Sequence, residues 1–192
     1  MHDNQVILFS WAIFYALHSL LAADRLKDFF ARQWPAVWPF YRLVYNTFFL
    51  VFLLWLLVDL YRRSVAFLFP PSTVFHVLGD LCGAAGLWIL FASFRNYDLL
   101  EFTGLQQPNA PQTLQTGGLN RFVRHPIYSG TLLFLLGLCL VDPYESRWAA
   151  LAATLLYMPA GIYFEEKKLL RQFGSAYSDY QKRVKRLIPG LW

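Results

Sequence analysis

Residues 124–166 read RHPIYSGTLLFLLGLCLVDPYESRWAALAATLLYMPAGIYFEE, and this stretch decides the fold. Two apolar runs, 127–141 and 148–164, flank a short polar break at 142–147 that contains Asp142, Pro143, Glu145 and Arg147. So short a connection returns the second run beside the first, which predicts an antiparallel helical hairpin. The far ends of the hairpin then meet, bringing Arg124-His125-Pro126-Ile127-Tyr128 beside Glu165-Glu166. Pro126 marks a helix start, because proline suits the first helical turn and biases the residue before it, His125, toward extended backbone.

Outward from the hairpin, three more apolar runs occupy 5–22, 40–60 and 74–94. At ~1.5 Å rise per residue, the runs at 40–60 and 74–94 cross a ~30 Å hydrocarbon core, while 127–141 is short and relies on bilayer thinning or its polar flanks. The opening MHDNQ lacks a basic segment and no small-residue cleavage site follows, so 5–22 is read as a retained span. The chain is 57% hydrophobic and 15% charged, with mean hydropathy +0.36. Soluble domains carry roughly 25% charged residues. A soluble globular enzyme, a disordered chain and a disulfide scaffold are thereby excluded. The expected fold is an all-α integral membrane protein with five transmembrane helices. It reads as one membrane domain over 1–192: three spans in 1–96, a loop at 97–126, the hairpin at 127–164 and a tail at 165–192 that completes a site.

Lysine and arginine placement orients these spans. The first loop carries four, the third loop three and the tail seven, against three in the other two loops. An N-outside, C-inside arrangement follows, with loop 97–126 and the tail on the inner side. The pI of 9.3 then needs no nucleic acid to explain it. Without a sorting signal, this topology fits a bacterial inner membrane with the polar corner facing the cytoplasm, and membrane lipid is an expected partner.

Within the tail, Leu169, Phe173, Tyr177, Tyr180 and Val184 recur every three or four residues, leaving lysines and arginines opposite, which predicts an amphipathic helix that Gly174 weakens or divides. The polar stretch 106–118, QQPNAPQTLQTGG, reads as a linker or a lid. Gly79 and Gly83 form a small-xxx-small pair that predicts close helix packing, with a homodimer as one use of it. Asn46, in a span near Tyr41 and Tyr45, reads either as a helix–helix hydrogen bond or, with those tyrosines, as lining of a cofactor cavity. Cys82 and Cys139 lie inside apolar runs and read as small core hydrophobes. By residue count His18 and His76 lie in opposite leaflets, about 15–20 Å apart, so they do not share a haem, and no metal site is expected.

The corner holds the densest chemistry. Two carboxylates and a tyrosine suit a small cationic ligand, held by charge and by the aromatic face. Thr116-Gly117-Gly118 lets backbone approach a ligand closely. Each part also has a structural use: Arg124 as an interfacial anchor, Tyr128 in an aromatic belt, the glutamates paired with Lys168 or Arg171. No Gly-x-Gly-x-x-Gly, phosphate-binding loop or Ser-His-Asp pattern is present.

Arg-His-Pro-Ile-Tyr-Ser-Gly, then Glu165-Glu166, Leu170, Phe173-Gly174, Tyr177, Tyr180 and a basic run ending Ile188-Pro189 together resemble one superfamily over roughly residues 117–190. It is that of the membrane methyltransferases typified by isoprenylcysteine carboxyl methyltransferase and the phospholipid N-methyltransferases. In the first half, Ala16-Leu17-His18-Ser19-Leu20 and Gly104-Leu105-Gln106-Gln107 resemble NnrU-like proteins and bacterial methanethiol S-methyltransferases. The resemblance implies S-adenosyl-L-methionine at the inner face, with Thr116, Gly118, Leu119, His125, Tyr128, Glu165 and Glu166 as cofactor-binding positions. It implies Arg124, His125 and Arg183 as catalytic positions, the arginines orienting an acceptor. Arg186 lies about one turn from Arg183. The implied substrate is a small or lipophilic thiol, such as methanethiol, or an isoprenylcysteine carboxylate. A carboxylate arrives ionised, whereas a thiol must become a thiolate, which Arg124 or protonated His125 favours. Two other readings stand beside this one. The first is an NADPH-dependent sterol-type reductase, whose family shares a similar corner. The second is a non-enzymatic NnrU-like component of nitrogen-oxide metabolism.

Overall fold

The computed structural model describes residues 2–63, 66–106 and 113–191. All its regular elements are helices: α1 (His2–Ala22), α2 (Asp24–Gln33), α3 (Tyr41–Arg62), α4 (Thr73–Ser93), α5 (Leu99–Thr103), α6 (Pro126–Val141), α7 (Glu145–Phe173) and α8 (Ser175–Arg183). Among the described residues, three stretches are long and apolar enough to cross a membrane: Asn4–Ala22, Trp38–Arg62 and Thr73–Ser93. The chain divides into two compact units that interleave in sequence, where the sequence reads as a single domain: 1–63 with 97–112, and 64–96 with 113–192.

In the first unit α1 packs on α3 through rings. Ile7, Trp11, Phe14 and Phe49 are buried, and Phe14 meets Phe49 and Phe52 edge-on at 5.5 and 5.4 Å. Such edge-to-face pairs add to the burial of apolar area. The Tyr45 and Tyr41 hydroxyls donate to the carbonyls of His18 and Leu21, at 3.2 and 2.6 Å. The expected hydrogen bond of Asn46 is present, and its partner is the end of the short helix α5: Nδ2 donates to the carbonyls of Phe102 (2.7 Å) and Thr103 (3.2 Å). Arg42 donates to the Glu101 carbonyl at 2.7 Å. Two side chains of α3 thus satisfy the carbonyls that every helix leaves open at its C-terminus. Gly104 follows at φ +88°, with a Cβ there falling 2.6 Å from the Leu43 backbone nitrogen, so only glycine fits. Helix α2 lies in what the sequence presents as the first loop; it has no buried residue, and its apolar positions are Leu26, Phe29, Phe30 and Ala31.

In the second unit α4 and α6 run antiparallel in close contact. A Cβ on Gly79 would lie 2.6 Å from the Val141 nitrogen, and one on Gly137 would lie 2.5 Å from the Gly83 nitrogen. A Cβ on Gly86 would strike the Phe134 backbone. The small-residue stripe of α4 therefore packs within the chain, against Gly130 and Gly137 of α6. The α6–α7 turn is tied locally: Arg147 is buried and donates to Asp142 (2.8 Å) and to the Leu138 carbonyl (3.0 Å). The segment before α4 lies on this turn, with Phe67 stacked on Tyr144 at 4.3 Å and the Leu68 amide donating to the Pro143 carbonyl at 2.7 Å.

Helix α7 carries the apolar run 148–164 and then continues through Phe173, where the sequence reading starts a separate tail helix. Lys167 to Phe173 contains only good or moderate helix formers, and the break comes at Gly174, φ +55° and ψ −127°, a backbone region closed to other residues. Helix α8 folds back from that kink with Tyr177 and Tyr180 buried.

Candidate functional site

The site grows from the start of α6. Pro126 takes the first helical position, and His125 before it lies outside the helical region, at φ −124° and ψ 65°. The stretch Val123–His125 runs parallel to the last part of the tail. The Arg124 amide donates to the Lys185 carbonyl (2.7 Å), the His125 amide to the Arg186 carbonyl (3.0 Å), and the Ser129 hydroxyl to the Leu187 carbonyl (2.7 Å). Leu187 is buried with Met158 and Ile162 of α7, and Tyr128 and Leu132 of α6 pack on them. The tail is thus bolted to the hairpin entrance by both backbone and core.

Glu166 is the centre of the charge network. Its Oε1 accepts from Arg124 Nε (2.8 Å) and Nη2 (2.6 Å) and lies 3.2 Å from His125 Nε2. Its Oε2 lies 3.3 Å from Arg186 Nη2. Burial opposes its ionisation, but hydrogen bonds from His125 and Arg124, together with their charge, outweigh that and hold its carboxyl down at about 2. Arg124 Nη1 also donates to the carbonyls of Gln181 (3.2 Å) and Val184, across the end of α8.

His125 is 1% exposed in its side chain and lies between two carboxylates, with Nδ1 3.6 Å from Glu165 Oε2. Glu165 is 45% exposed, against 7% for Glu166. Tyr128 meets the His125 ring edge-on at 5.6 Å, and a Cβ on Gly161 would stand 3.2 Å from its hydroxyl. Ahead of the corner, Gly118 at φ +56° opens a single 3₁₀ turn, Gly118–Arg121, with Thr116, Gly117 and Gly118 exposed and Leu119 half-buried. Buried Asn120 fastens this turn: its carbonyl accepts from Tyr180 Oη (2.5 Å) and its Nδ2 donates to the Arg124 carbonyl (3.3 Å). Residues 107–112 of the polar stretch, and with them the reading as linker or lid, lie outside the described residues.

The structure therefore brings together Arg124, His125, Tyr128, Glu165 and Glu166, and ties the Gly117-Gly118 turn to them through Asn120. Arg124, expected to orient an acceptor, is buried and turned inward onto Glu166 and the Gln181 and Val184 carbonyls. Arg183, also expected at the acceptor, is exposed, and its Nε donates back to the Asp179 carbonyl at 3.3 Å. The arginine that reaches the cluster is Arg186. Asn120, Ser129, Tyr177 and Tyr180 were not anticipated as parts of the corner. The tyrosines' place on the apolar face of the tail was the available signal for two of them. The Tyr177 hydroxyl is buried and has no hydrogen-bond partner among the described residues, and burial together with the Glu166 charge pushes its ionisation up.

Residues 74–176 match the phospholipid methyltransferase family, more than half of the chain, and the chain belongs to that family. The match runs from the start of α4 into α8 and so takes in most of the second unit. Among relatives, methanethiol S-methyltransferase 2 of Bradyrhizobium diazoefficiens is 31% identical over 115 residues, covering 56% of this chain and 44% of the relative. The methanethiol S-methyltransferase of Pseudomonas deceptionensis is 28% identical over 190 residues, covering 93% of this chain and 70% of the relative. The protein-S-isoprenylcysteine O-methyltransferase of Tribolium castaneum is 33% identical over 85 residues, covering 43% and 30%. The chain thus spans less than half the length of the Bradyrhizobium and Tribolium relatives. No solved structure matches it.

Proposed function

We propose that this protein is an integral-membrane methyltransferase that uses S-adenosyl-L-methionine and transfers its methyl group to a sulfur-containing acceptor. The acceptor is a small or lipophilic thiol such as methanethiol, or an isoprenylcysteine carboxylate. Five spans, with the N-terminus outside and the site facing the cytoplasm of a bacterial inner membrane, complete the reading.

The observation that carries it is the division of labour between adjacent glutamates. Glu166 is neutralised by Arg124, Arg186 and His125 and fixes the His125 ring. Glu165 keeps a half-exposed carboxylate beside that ring. An ordered, accessible carboxylate next to Tyr128 fits a ligand that carries positive charge. The exposed turn at Gly117–Gly118, with open space where a Gly117 Cβ would be, leaves backbone for a ligand to approach. The residues present thus fit S-adenosylmethionine, with Thr116, Gly118, Leu119, His125, Tyr128 and Glu165 as its holders and Glu166 acting through His125. When bound, that cofactor supplies an electrophilic methyl on a sulfonium. The protein's part is then to position and to stabilise charge, which suffices for an in-line displacement.

The test is calorimetric binding of S-adenosylhomocysteine to the detergent-purified chain. Saturable binding is expected, weakened about tenfold or more by Glu165→Gln, since a hydrogen bond to a charged group contributes about 1.5–3 kcal/mol. Tyr128→Phe is expected to weaken it by a smaller factor. A folded, monodisperse wild type that takes up no S-adenosylhomocysteine overturns the proposal.

A further inference from the structure

Helix α2 starts directly after α1, with only Ala23 between them, and leads into α3. The helices α1 and α3 run antiparallel, since Phe49 meets Phe14, Tyr45 meets His18 and Tyr41 meets Leu21. Both are long and apolar enough to cross a membrane, so α2 joins them at one membrane face. Successive residues of a helix turn by about 100°, which places Leu26, Phe29, Phe30 and Gln33 on one side of α2. Phe30 meets Tyr41 at 5.6 Å and Trp34 at 5.3 Å, and these ring contacts fix how the helix is rotated. Phe29 and Trp34 are each 50% exposed, so half of either ring is left for something other than this unit to cover.

The charges say what covers them. By the same rotation Arg25 and Arg32 share one flank of the apolar side, beside Phe29, with Lys27 on the other flank and Asp24 and Asp28 opposite. Arg25 and Arg32 are exposed, and among the described residues neither makes an ion pair or a hydrogen bond. Asp28 stands three residues after one and four before the other, a spacing that allows pairing, yet it pairs with neither. The two acids leave α2 with little net charge, so the placement of the guanidiniums selects the ligand. A guanidinium presents a planar fork of donors that matches phosphate oxygens, and an exposed aromatic beside it suits the boundary between headgroups and acyl chains. We propose that Arg25 and Arg32, flanking Phe29 on α2, bind the phosphates of anionic phospholipids in the leaflet where α1 ends and α3 begins. In the arrangement proposed above, that leaflet is the cytoplasmic one. The proposal rests on the integral-membrane reading and is independent of the methyl-transfer chemistry.

In the experiment the full-length detergent-purified chain is titrated with palmitoyl-oleoyl phosphatidylglycerol or with the phosphatidylcholine of the same chains, and retained lipid is counted by native mass spectrometry. The wild type is expected to prefer phosphatidylglycerol. Arg25→Gln and Arg32→Gln are each expected to weaken its binding about fivefold, the effect of one basic residue at an anionic surface. The double glutamine variant loses most of the preference, and the double lysine variant keeps part of it. Lys182→Ala, which removes a 72% exposed cation elsewhere, is expected to match the wild type. Excess inorganic phosphate is expected to leave the bound lipid in place. Equal binding of the two lipids by the wild type overturns the proposal, as does an unchanged preference in the double glutamine variant. An equal loss in Lys182→Ala assigns the effect to diffuse surface charge, and displacement by inorganic phosphate assigns the site to the free anion; either overturns it. A second measurement needs no arginine variant. The chain is reconstituted in phosphatidylglycerol vesicles, and the fluorescence lost in Trp34→Phe isolates the signal of Trp34. Lipids brominated in the upper part of the acyl chain are expected to quench that signal. A reconstituted chain whose Trp34 is not quenched overturns this proposal alone, and a folded chain that stays outside the vesicles overturns the membrane reading with it.

Discussion

The two ends of the α6–α7 hairpin each bury an arginine against a carboxylate, and they use it differently. At the turn, Arg147 pairs with Asp142 only five residues away, and its second acceptor, Leu138 O, lies nine residues away on the same hairpin. At the open end, Arg124 pairs with Glu166 at a separation of 42 residues, reaches carbonyls 57 and 60 residues on, and shares its carboxylate with His125 and Arg186. The first pair closes a turn that the chain would make anyway. The second ties together three segments far apart in sequence: the α6 entrance, the later part of α7 and the tail. A buried ion pair used locally is a staple; used across the sequence it assembles a site.

Breaking the long-range pair has the largest expected effect. Arg124→Ala leaves Glu166 buried with much of its compensation gone, and stranding one partner of a buried pair costs about 3–5 kcal/mol. The apparent unfolding midpoint should fall accordingly, and the tail beyond Gly174 should become open to limited proteolysis before the hairpin does. The same pair sets an acid limb. The folded value of Glu166, about 2, lies below its ordinary 4.5, so its contribution is complete above about pH 4.5 and is lost as pH falls from there toward 2. Glu166→Gln is expected to flatten that limb. An unaltered limb would mean that other carboxylates govern acid unfolding.

Breaking the local pair should cost less. Arg147→Ala removes two hydrogen bonds, but Asp142 is 38% exposed and water takes over its carboxylate. A loss of about 1.5–3 kcal/mol is expected, with S-adenosylhomocysteine affinity unchanged. If Arg147→Ala proves as damaging as Arg124→Ala, or lowers that affinity, the distinction between staple and assembler fails.

The same contrast explains what could be read before the structure. The hairpin and the meeting of Arg124–Tyr128 with Glu165–Glu166 were legible because a short break at 142–147 admits one geometry. The kink at Gly174 was legible as a local residue preference. The pairing of Val123–His125 with 185–187 was not, since neither stretch carries an alternating pattern long enough to announce a strand. Nor was the inward turn of Arg124, which depends on where α8 ends. Gly79 and Gly83 announced close packing, but a stripe of small residues does not name its partner, and Gly130 and Gly137 of α6 supply it. Helix α2 escaped because Asp24–Gln33 has no long apolar run and buries nothing. Arg183 and Arg186 are one turn apart in a basic run, and only the contact with Glu166 tells them apart.

The smallest expected effect separates backbone from charge at the open end. Gly174 sits at φ +55° and ψ −127°, and a Cβ there would meet no atom within 4 Å. Gly174→Ala therefore introduces conformational strain without a clash, costing about 1–2 kcal/mol. If the Arg124–Glu166 contacts and the strand-like pairing hold the tail, this variant keeps α8 docked: the unfolding midpoint falls slightly while Tyr177 and Tyr180 stay protected and S-adenosylhomocysteine affinity is retained. If the kink itself aims the tail, strain at this one residue should undock α8, and the tail should become protease-sensitive to the same degree as in Arg124→Ala. The first outcome is expected, because the C-terminal end of α8 is fastened by Arg124 on Gln181 and Val184 and by Tyr180 on Asn120, whereas Gly174 contributes only the absence of a side chain.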